Sequence, residues 1–187
     1  VAVKLPRRDR VQADAGKSFL REARAAARVQ HPNIVQVYEV GQADSGFYIV
    51  SEFVDGITLS DWLKLRELSP QAAAKLMITI CRAVQAAHDA NVIHRDLKPG
   101  NVLMDTKNEP HIADFGLARQ SGVEITVTHD GRIVGTPSYM SPEQARGETD
   151  RLDRRTDIYS LGVTLYELLS GKVPFSQGSI MEVLLKV

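Results

Sequence analysis

Short β-rich runs and one helical run make up the beginning of the chain. Residues 1–4 alternate and are β-branched, which predicts a strand. Residues 17–29 are rich in Ala, Arg and Glu and predict a helix, which ends before Pro32 because the residue preceding a proline disfavours helical backbone. Residues 34–40 and 47–53 are both β-rich and are separated by a glycine-containing turn, which predicts an antiparallel pair.

Helices predominate in the rest of the chain. Residues 58–65 predict a short amphipathic helix, and Ser69 as N-cap with Pro70 in the first turn predicts the start of a long helix reaching about residue 91. Apolar residues recur there at helical spacing and predict one buried stripe, formed by Leu76, Ile80, Val84 and Ala87.

A further helix is predicted over residues 156–170, where Gly171 ends it. Before it, residues 116–141 follow no regular pattern and are too many for a passive turn in a compact domain. We therefore expect this segment to be functional.

Composition limits the classes of function. The 187 residues are 43% hydrophobic, enough for one core or two small lobes, and 23 basic residues balance 23 acidic ones. The balanced charge provides no overall field toward nucleic acid or an anionic membrane, so we expect no nucleic-acid partner and no membrane contact within this segment. The single cysteine, Cys81, cannot form an internal disulfide; we expect a small core residue and a reducing, cytoplasmic setting.

Four polar residues are predicted to meet between the two long helices. Asp96, Lys98 and Asn101 fall on one irregular loop, and Asp114 follows a second apolar run. We expect the apolar runs that flank them, at 92–93, 102–104 and 111–113, to form short strands, and two of these strands, linked as a hairpin, to bring the polar side chains together. Phosphoryl transfer requires such a set: a carboxylate to orient the attacking hydroxyl, oxygen ligands for Mg²⁺, and a cation to offset the moving charge.

The motifs around these residues resemble the protein kinase family. HRDLKPGN at 94–101 resembles its catalytic loop, DFG at 114–116 its metal-binding turn, VAVK at 1–4 the strand with the nucleotide lysine, and GTPSYMSPE at 135–143 the end of the activation segment. The order agrees, and the resemblance covers essentially the whole chain. The residues of these motifs are similar to those of bacterial eukaryotic-like serine/threonine kinases.

The resemblance implies a role for each matching residue. Asp96 would be the catalytic base, Asn101 and Asp114 the Mg²⁺ ligands, and Lys4 the contact of the α- and β-phosphates of ATP, paired with Glu22. ATP and Mg²⁺ are thus the implied cofactors. The adenine ring would be bound by the backbone of two residues and enclosed by two side chains, which are respectively Glu52 and Val54, and Ala2 and Leu103.

Specificity and regulation are implied in the same way. Lys98 beside the γ-phosphate, together with Thr136 in the GTPSY motif, points to serine/threonine rather than tyrosine substrates. Arg95 and Arg119 would both point toward the middle of the activation segment, where two guanidinium groups repel each other. We hypothesise that a phosphate on one of two threonines, Thr126 or Thr128, bridges them.

Five further residues carry implied roles. Asp157 would bind the backbone of the catalytic loop, and the usual arginine partner of Glu143 would lie beyond residue 187. Ser51 and Ala26 are small where larger side chains are common, which predicts a cavity behind the adenine site. We expect His94 to be a structural residue packed against Phe115, and no histidine shows the spacing of a metal ligand.

The implied fold is α+β and two-lobed, with a small mixed sheet plus one helix and a mainly α-helical large lobe. Residues 1–54 would form a partial N-terminal lobe and residues 55–187 a partial C-terminal lobe, joined at a hinge near 51–56. The glycine-rich loop expected before residue 1 and the last helices of the large lobe are outside this sequence, so we expect a chain truncated at both ends and weakly active or inactive alone.

The expected partner is a protein with a serine or threonine acceptor, and the resemblance also allows a dimer for trans-autophosphorylation. A membrane anchor outside this segment is left open. One rival is a non-catalytic pseudokinase or scaffold, which the intact polar set disfavours. A second is a small-molecule phosphotransferase of related fold, which the GTPSYMSPE segment disfavours because it forms a peptide platform in protein kinases.

Overall fold

The computed structural model describes residues 1–5, 20, 22–43, 46–115, 137–175 and 180–187. A three-stranded sheet is formed by β1 (Ala2–Lys4), β2 (Val37–Ala43) and β3 (Gly46–Ser51), in the order β1-β3-β2. Both strand pairs are antiparallel, whereas the sequence led us to expect a mixed sheet.

Helix α1 lies against this sheet. It is described as helical over residues 22–26, within the predicted helix, and it buries Ala23 beside Ile49 of β3. Strand β2 begins and ends three residues later than predicted. The residues that precede it instead pair with another part of the chain, since Val35 N donates to the carbonyl of Ile112 at 2.9 Å and Ile112 N donates to that of Asn33 at 2.8 Å.

A second antiparallel sheet, in the order β4-β5-β6, carries the predicted hairpin. Its strands are β4 (Gly56–Thr58), β5 (Val102–Asp105) and β6 (Pro110–Ile112). Residues 92–93 are not a strand, so that prediction is wrong. Val92 N instead donates to the carbonyl of Ala87 at 2.9 Å, and the backbone N–H groups of the next two residues along, His94 and Arg95, donate to the side chain of Asp157.

The helices agree closely with the pattern of caps and apolar positions. Helix α2 (Leu59–Lys64) is capped by Thr58, and α3 (Pro70–Asp89) begins at Ser69, whose hydroxyl accepts from Ala72 N as predicted. Helix α5 (Arg154–Ser170) ends at Gly171, which has a φ of 70°. Two short helices were not predicted, α4 (Pro142–Ala145) and α6 (Ile180–Lys186).

The core lies between the helices and the second sheet. Helix α3 packs against α5 and contributes Ile80, Val84 and Ala87 to it, with Leu76 half-buried at its edge. Cys81 is exposed, so its predicted core position is wrong. It is one residue beyond Ile80, about 100° around the helix, which turns it away from the buried stripe. No helix in the described part of the chain is both long and apolar enough to cross a membrane.

Candidate functional site

Three of the predicted polar side chains are hydrogen-bonded to one another. Lys98 Nζ donates to both carboxylate oxygens of Asp96, at 3.0 and 2.8 Å. Asn101 Nδ2 donates to the Asp96 carbonyl at 2.7 Å and to its Oδ2 at 2.9 Å. The Asp96 side chain nevertheless remains 44% exposed. Its carboxylate is therefore fixed in direction but accessible to a substrate.

The fourth residue of the set lies directly beside this loop. Ala113 N donates to the carbonyl of Asn101 at 2.9 Å, which joins the end of β6 to the loop that carries Asp96. Asp114 follows with a φ of 65°, and its Oδ2 accepts a hydrogen bond from Lys4 Nζ on β1. Tertiary structure thus brings together three parts of the chain: β1, the loop at 94–101, and Asp114, which is the second residue after β6.

A buried carboxylate holds the backbone before Asp96. Asp157 on α5 accepts from His94 N at 2.9 Å, Arg95 N at 2.8 Å and His88 Nε2 at 2.7 Å, and it is fully buried. Burial alone would raise the pKa of Asp157, but the hydrogen bonds from His88 and from the two backbone groups outweigh it and hold this pKa below its usual value. The backbone contact implied for Asp157 is present in the structure.

His94 is a structural residue, as expected. It is fully buried, and its ring centroid lies 4.7 Å from that of Phe115. Its Nδ1 accepts from Asp96 N at 3.2 Å, so the ring proton is on Nε2, which lies 2.8 Å from the carbonyl of Ala113. A neutral imidazole therefore connects the backbone of Ala113, which precedes Asp114, with the backbone of Asp96.

A cavity of about 380 Å³ lies beside the loop. Its volume falls within the usual range for small-molecule sites. Ser51 and Ala26, the two small residues noted in the sequence, both line it, as does Phe115. Six predicted nucleotide-binding or metal-binding residues line it, namely Ala2, Lys4, Glu52, Val54, Leu103 and Asp114.

Glu22 is placed differently from the expectation. Its Oε2 lies 3.5 Å from Arg95 Nη1, and both side chains are largely buried, at 15% and 20% exposure. Lys4, its implied partner, contacts Asp114 instead.

Two residues near the end of the activation segment have partners that the sequence did not suggest. Thr156 Oγ1 donates to Glu143 Oε1 at 2.7 Å, so Glu143 has a partner within this chain. Burial would raise the pKa of Glu143, but the hydrogen bonds from Thr156, from its own backbone and from Ser141 together outweigh burial and lower this pKa. Gln144 was missed altogether, although its position three residues after Ser141 is a recognisable capping pattern. Thr126, Thr128, Arg119 and Thr136 lie outside the described residues.

The side-chain oxygens of Asn101 and Asp114 are suitable ligands for a magnesium ion that is bound together with phosphate. Both donated bonds of Asn101 come from its NH₂ group, which leaves the amide oxygen as a ligand. Among the described residues, no cluster of three or more His, Cys, Asp or Glu side chains could hold a metal alone. Mg²⁺ commonly takes only one or two protein ligands when substrate phosphates supply others, so two suffice here.

The chain is also similar in sequence to known proteins. The family model for the protein kinase domain matches residues 1–186. The chain is 40% identical to serine/threonine-protein kinase PrkC of Bacillus subtilis over 171 residues, which are 91% of this chain and 26% of that protein. It is 43% identical to serine/threonine-protein kinase PknB of Mycobacterium leprae over 162 residues, or 84% of this chain and 26% of that protein. The chain thus spans about a quarter of the length of the curated relatives it matches.

Proposed function

Because this chain belongs to the protein kinase family, as its motifs indicated, we propose that it forms the catalytic core of a serine/threonine kinase. The reaction is transfer of the γ-phosphoryl group of ATP to a serine or threonine hydroxyl of a protein substrate. One observation carries the proposal: the Asp96 carboxylate is fixed by Lys98 and Asn101 yet open to solvent, beside Asp114 and a nucleotide-sized cavity.

Asp96 is the residue that orients the attacking hydroxyl. Because Lys98 and Asn101 hold its carboxylate, it presents an oxygen in a fixed direction and accepts the hydroxyl proton. Lys98 also places a cation directly against this carboxylate. It contributes positive charge at the position where charge moves between donor and acceptor oxygens.

The nucleotide site is formed by the cavity and its two ends. Protein kinases use ATP with Mg²⁺, and the bound ion neutralises charge on the phosphates. Asn101 and Asp114 would hold the ion, and Lys4 would contact the α- and β-phosphates. The base would lie at the other end of the cavity, against the backbone of Glu52 and Val54 and between Ala2 and Leu103.

We further propose the division of the chain into two lobes, residues 1–54 and 55–187. The described strands and helices support it, since β1 to β3 and α1 precede residue 55 and the remaining elements follow. The cavity draws on both parts of the chain. ATP as donor also favours action in the cytoplasm, where ATP is available.

Activation by phosphate is proposed for Thr126 or Thr128, with Arg95 and Arg119 as its binding partners and a dimer as the route to trans-autophosphorylation. Arg95 is already largely buried and pairs with Glu22, so an incoming phosphate would compete with Glu22 for this guanidinium. Mass spectrometry of fully active protein tests this. Finding both threonines unmodified would exclude the proposed switch.

The catalytic proposal is tested by γ-phosphate transfer to a mixed Ser/Thr peptide library, using the full-length protein. Asp96→Asn is expected to lower kcat at least about a hundredfold, because it removes the general base. Asp150→Asn, the same change at an exposed position, is the control and should leave kcat unchanged. An inactive wild-type protein that still binds ATP would favour a scaffold, and an Asp96→Asn variant with full activity would refute the role of Asp96.

A further inference from the structure

The side chain of Gln144 on α4 makes two hydrogen bonds, one within the cap of α4 and one with the loop that carries Asp96. Its Oε1 accepts from Ser141 N at 3.0 Å, while the Ser141 hydroxyl accepts from Gln144 N at 3.4 Å, so the two residues cap α4 reciprocally. Its Nε2 donates to the carbonyl of Arg95 at 2.6 Å. The side chain is buried, which excludes water as a ready substitute for either partner.

The Arg95 carbonyl is an important acceptor because of where it lies. Arg95 has a φ of 68°, a left-handed conformation that a side chain other than glycine adopts only when its surroundings enforce it. Its N–H donates to Asp157 at 2.8 Å, and its carbonyl accepts from Gln144. Side chains from two separate helices thus hold both backbone polar groups of the residue immediately before Asp96.

The chemistry of position 144 distinguishes these two bonds. A helix cap of this kind is served equally well by Gln or Glu, because only an acceptor oxygen is needed for the Ser141 N–H group. The Arg95 carbonyl, in contrast, requires a donor, which an ionised Glu lacks. An amide is the side chain that meets both demands at once, so the residue type is explained by the contact with Arg95 and not by the cap.

We propose that Gln144 is a positioning residue for phosphoryl transfer: through the Arg95 carbonyl it fixes the strained turn that aims the Asp96 carboxylate. The inference rests on the proposed function, in which Asp96 orients the acceptor hydroxyl. It assigns to α4 a direct connection with the catalytic loop. Among the described residues, Gln144 does not line the cavity and makes no hydrogen bond with the side chain of Asp96 or Asn101.

Two variants of the full-length protein separate positioning from capping. Gln144→Glu keeps the acceptor for Ser141 N but places a carboxylate against the Arg95 carbonyl. Ser141→Ala removes the hydroxyl half of the cap and leaves the bond to Arg95 intact. Because Ser141 makes no hydrogen bond with the loop at 94–101 among the described residues, Ser141→Ala is the matched control for the stability of α4.

We expect Gln144→Glu to lower kcat about tenfold, equivalent to about 1.4 kcal/mol in the barrier, while KM for ATP stays within about twofold. Ser141→Ala should keep kcat within about twofold of wild type even if its melting temperature falls further. Equal losses of kcat in both variants, or an unchanged kcat in Gln144→Glu, would overturn the positioning role and leave Gln144 as a cap.

Hydrogen exchange supplies a readout that does not depend on turnover. Loosening the turn should speed exchange at Arg95 and Asp96, whose N–H groups donate to Asp157 and His94, so a peptide spanning 92–98 should exchange faster in Gln144→Glu but not in Ser141→Ala. Gln144→Met, which removes both bonds without adding charge, replaces Gln144→Glu if that variant does not fold. Unaltered exchange in 92–98 would refute the inference even if the protein proved to have no kinase activity.

Discussion

The buried carboxylate of Asp157 is expected to stabilise the fold around the site strongly, because three groups donate hydrogen bonds to it. In Asp157→Asn, the amide has only one acceptor oxygen to replace two. Whichever way the amide is turned, either the backbone N–H of His94 or that of Arg95 faces an NH₂ group. Leaving one buried donor without an acceptor costs about 1–3 kcal/mol.

The remaining bonds also weaken, because they change from charged to neutral hydrogen bonds. A hydrogen bond to a charged group contributes about 1 kcal/mol more than a neutral one, and up to two such bonds remain in the variant. The total loss is therefore about 3–5 kcal/mol, which matches the usual cost of removing one member of a buried charged set. Asp153→Asn, the same change at the exposed N-cap of α5, should cost less than about 0.5 kcal/mol because Asn caps helices as well as Asp.

Acid sensitivity follows from the same group. The pKa of Asp157 in the folded state lies below its unfolded value, so its contribution to stability is fully present above the unfolded pKa of about 4. That contribution is lost as the pH falls through the lower folded pKa. Asp157→Asn should accordingly lose less stability than wild type between about pH 5 and the acid limit.

Urea titration followed by hydrogen exchange of peptides from α3 and α5 measures this stability locally, whatever else the full-length protein contains. Asp153→Asn provides the comparison at each pH. If the two variants were equally stable at pH 7, or if Asp157→Asn kept the acid sensitivity of wild type, the assignment of Asp157 as the ionised acceptor of the loop would be wrong.

Three more substitutions test the packing around the cavity, the second sheet and helix α5. Ser51→Met should fill the part of the cavity that Ser51 lines and weaken the binding of adenine derivatives with bulky apolar substituents about tenfold or more. Ser51→Ala is the control. Equal binding of these derivatives to wild type and to Ser51→Met would contradict the predicted space at Ser51. Gly56→Ala should destabilise the protein by about 1–3 kcal/mol, because the added Cβ would come within 2.0 Å of the Met104 carbonyl oxygen. A Cβ added at Gly162 on α5 would have no atom within 4 Å apart from the backbone of its own helix. Gly162→Ala should therefore stabilise the protein by about 0.5–1 kcal/mol. Melting temperatures of the two glycine variants should shift in opposite directions, and a shift in the same direction would refute this reasoning.

Much of the fold was predictable because local signals and tertiary packing agree. Ser69 and Pro70 mark the start of α3 by capping chemistry that acts within a single turn. Strand β2 was shifted, because Val35 pairs with Ile112, which is distant in the sequence. Cys81 was misassigned for a related reason: the apolar character of a short stretch does not fix which face of a helix is buried.

Caps, apolar periodicity and the HRDLKPGN and DFG motifs are local patterns of residue type, so they were enough to predict the family, helices α1, α2, α3 and α5, and the residues of the polar set. The partners of individual side chains came from the folded arrangement: Glu22 with Arg95, Glu143 with Thr156, and Gln144 with the Arg95 carbonyl. Hydrogen bonds and ion pairs depend on distances of a few ångströms between groups far apart in the chain. Those distances are set by how the helices pack, which no local pattern of residues records.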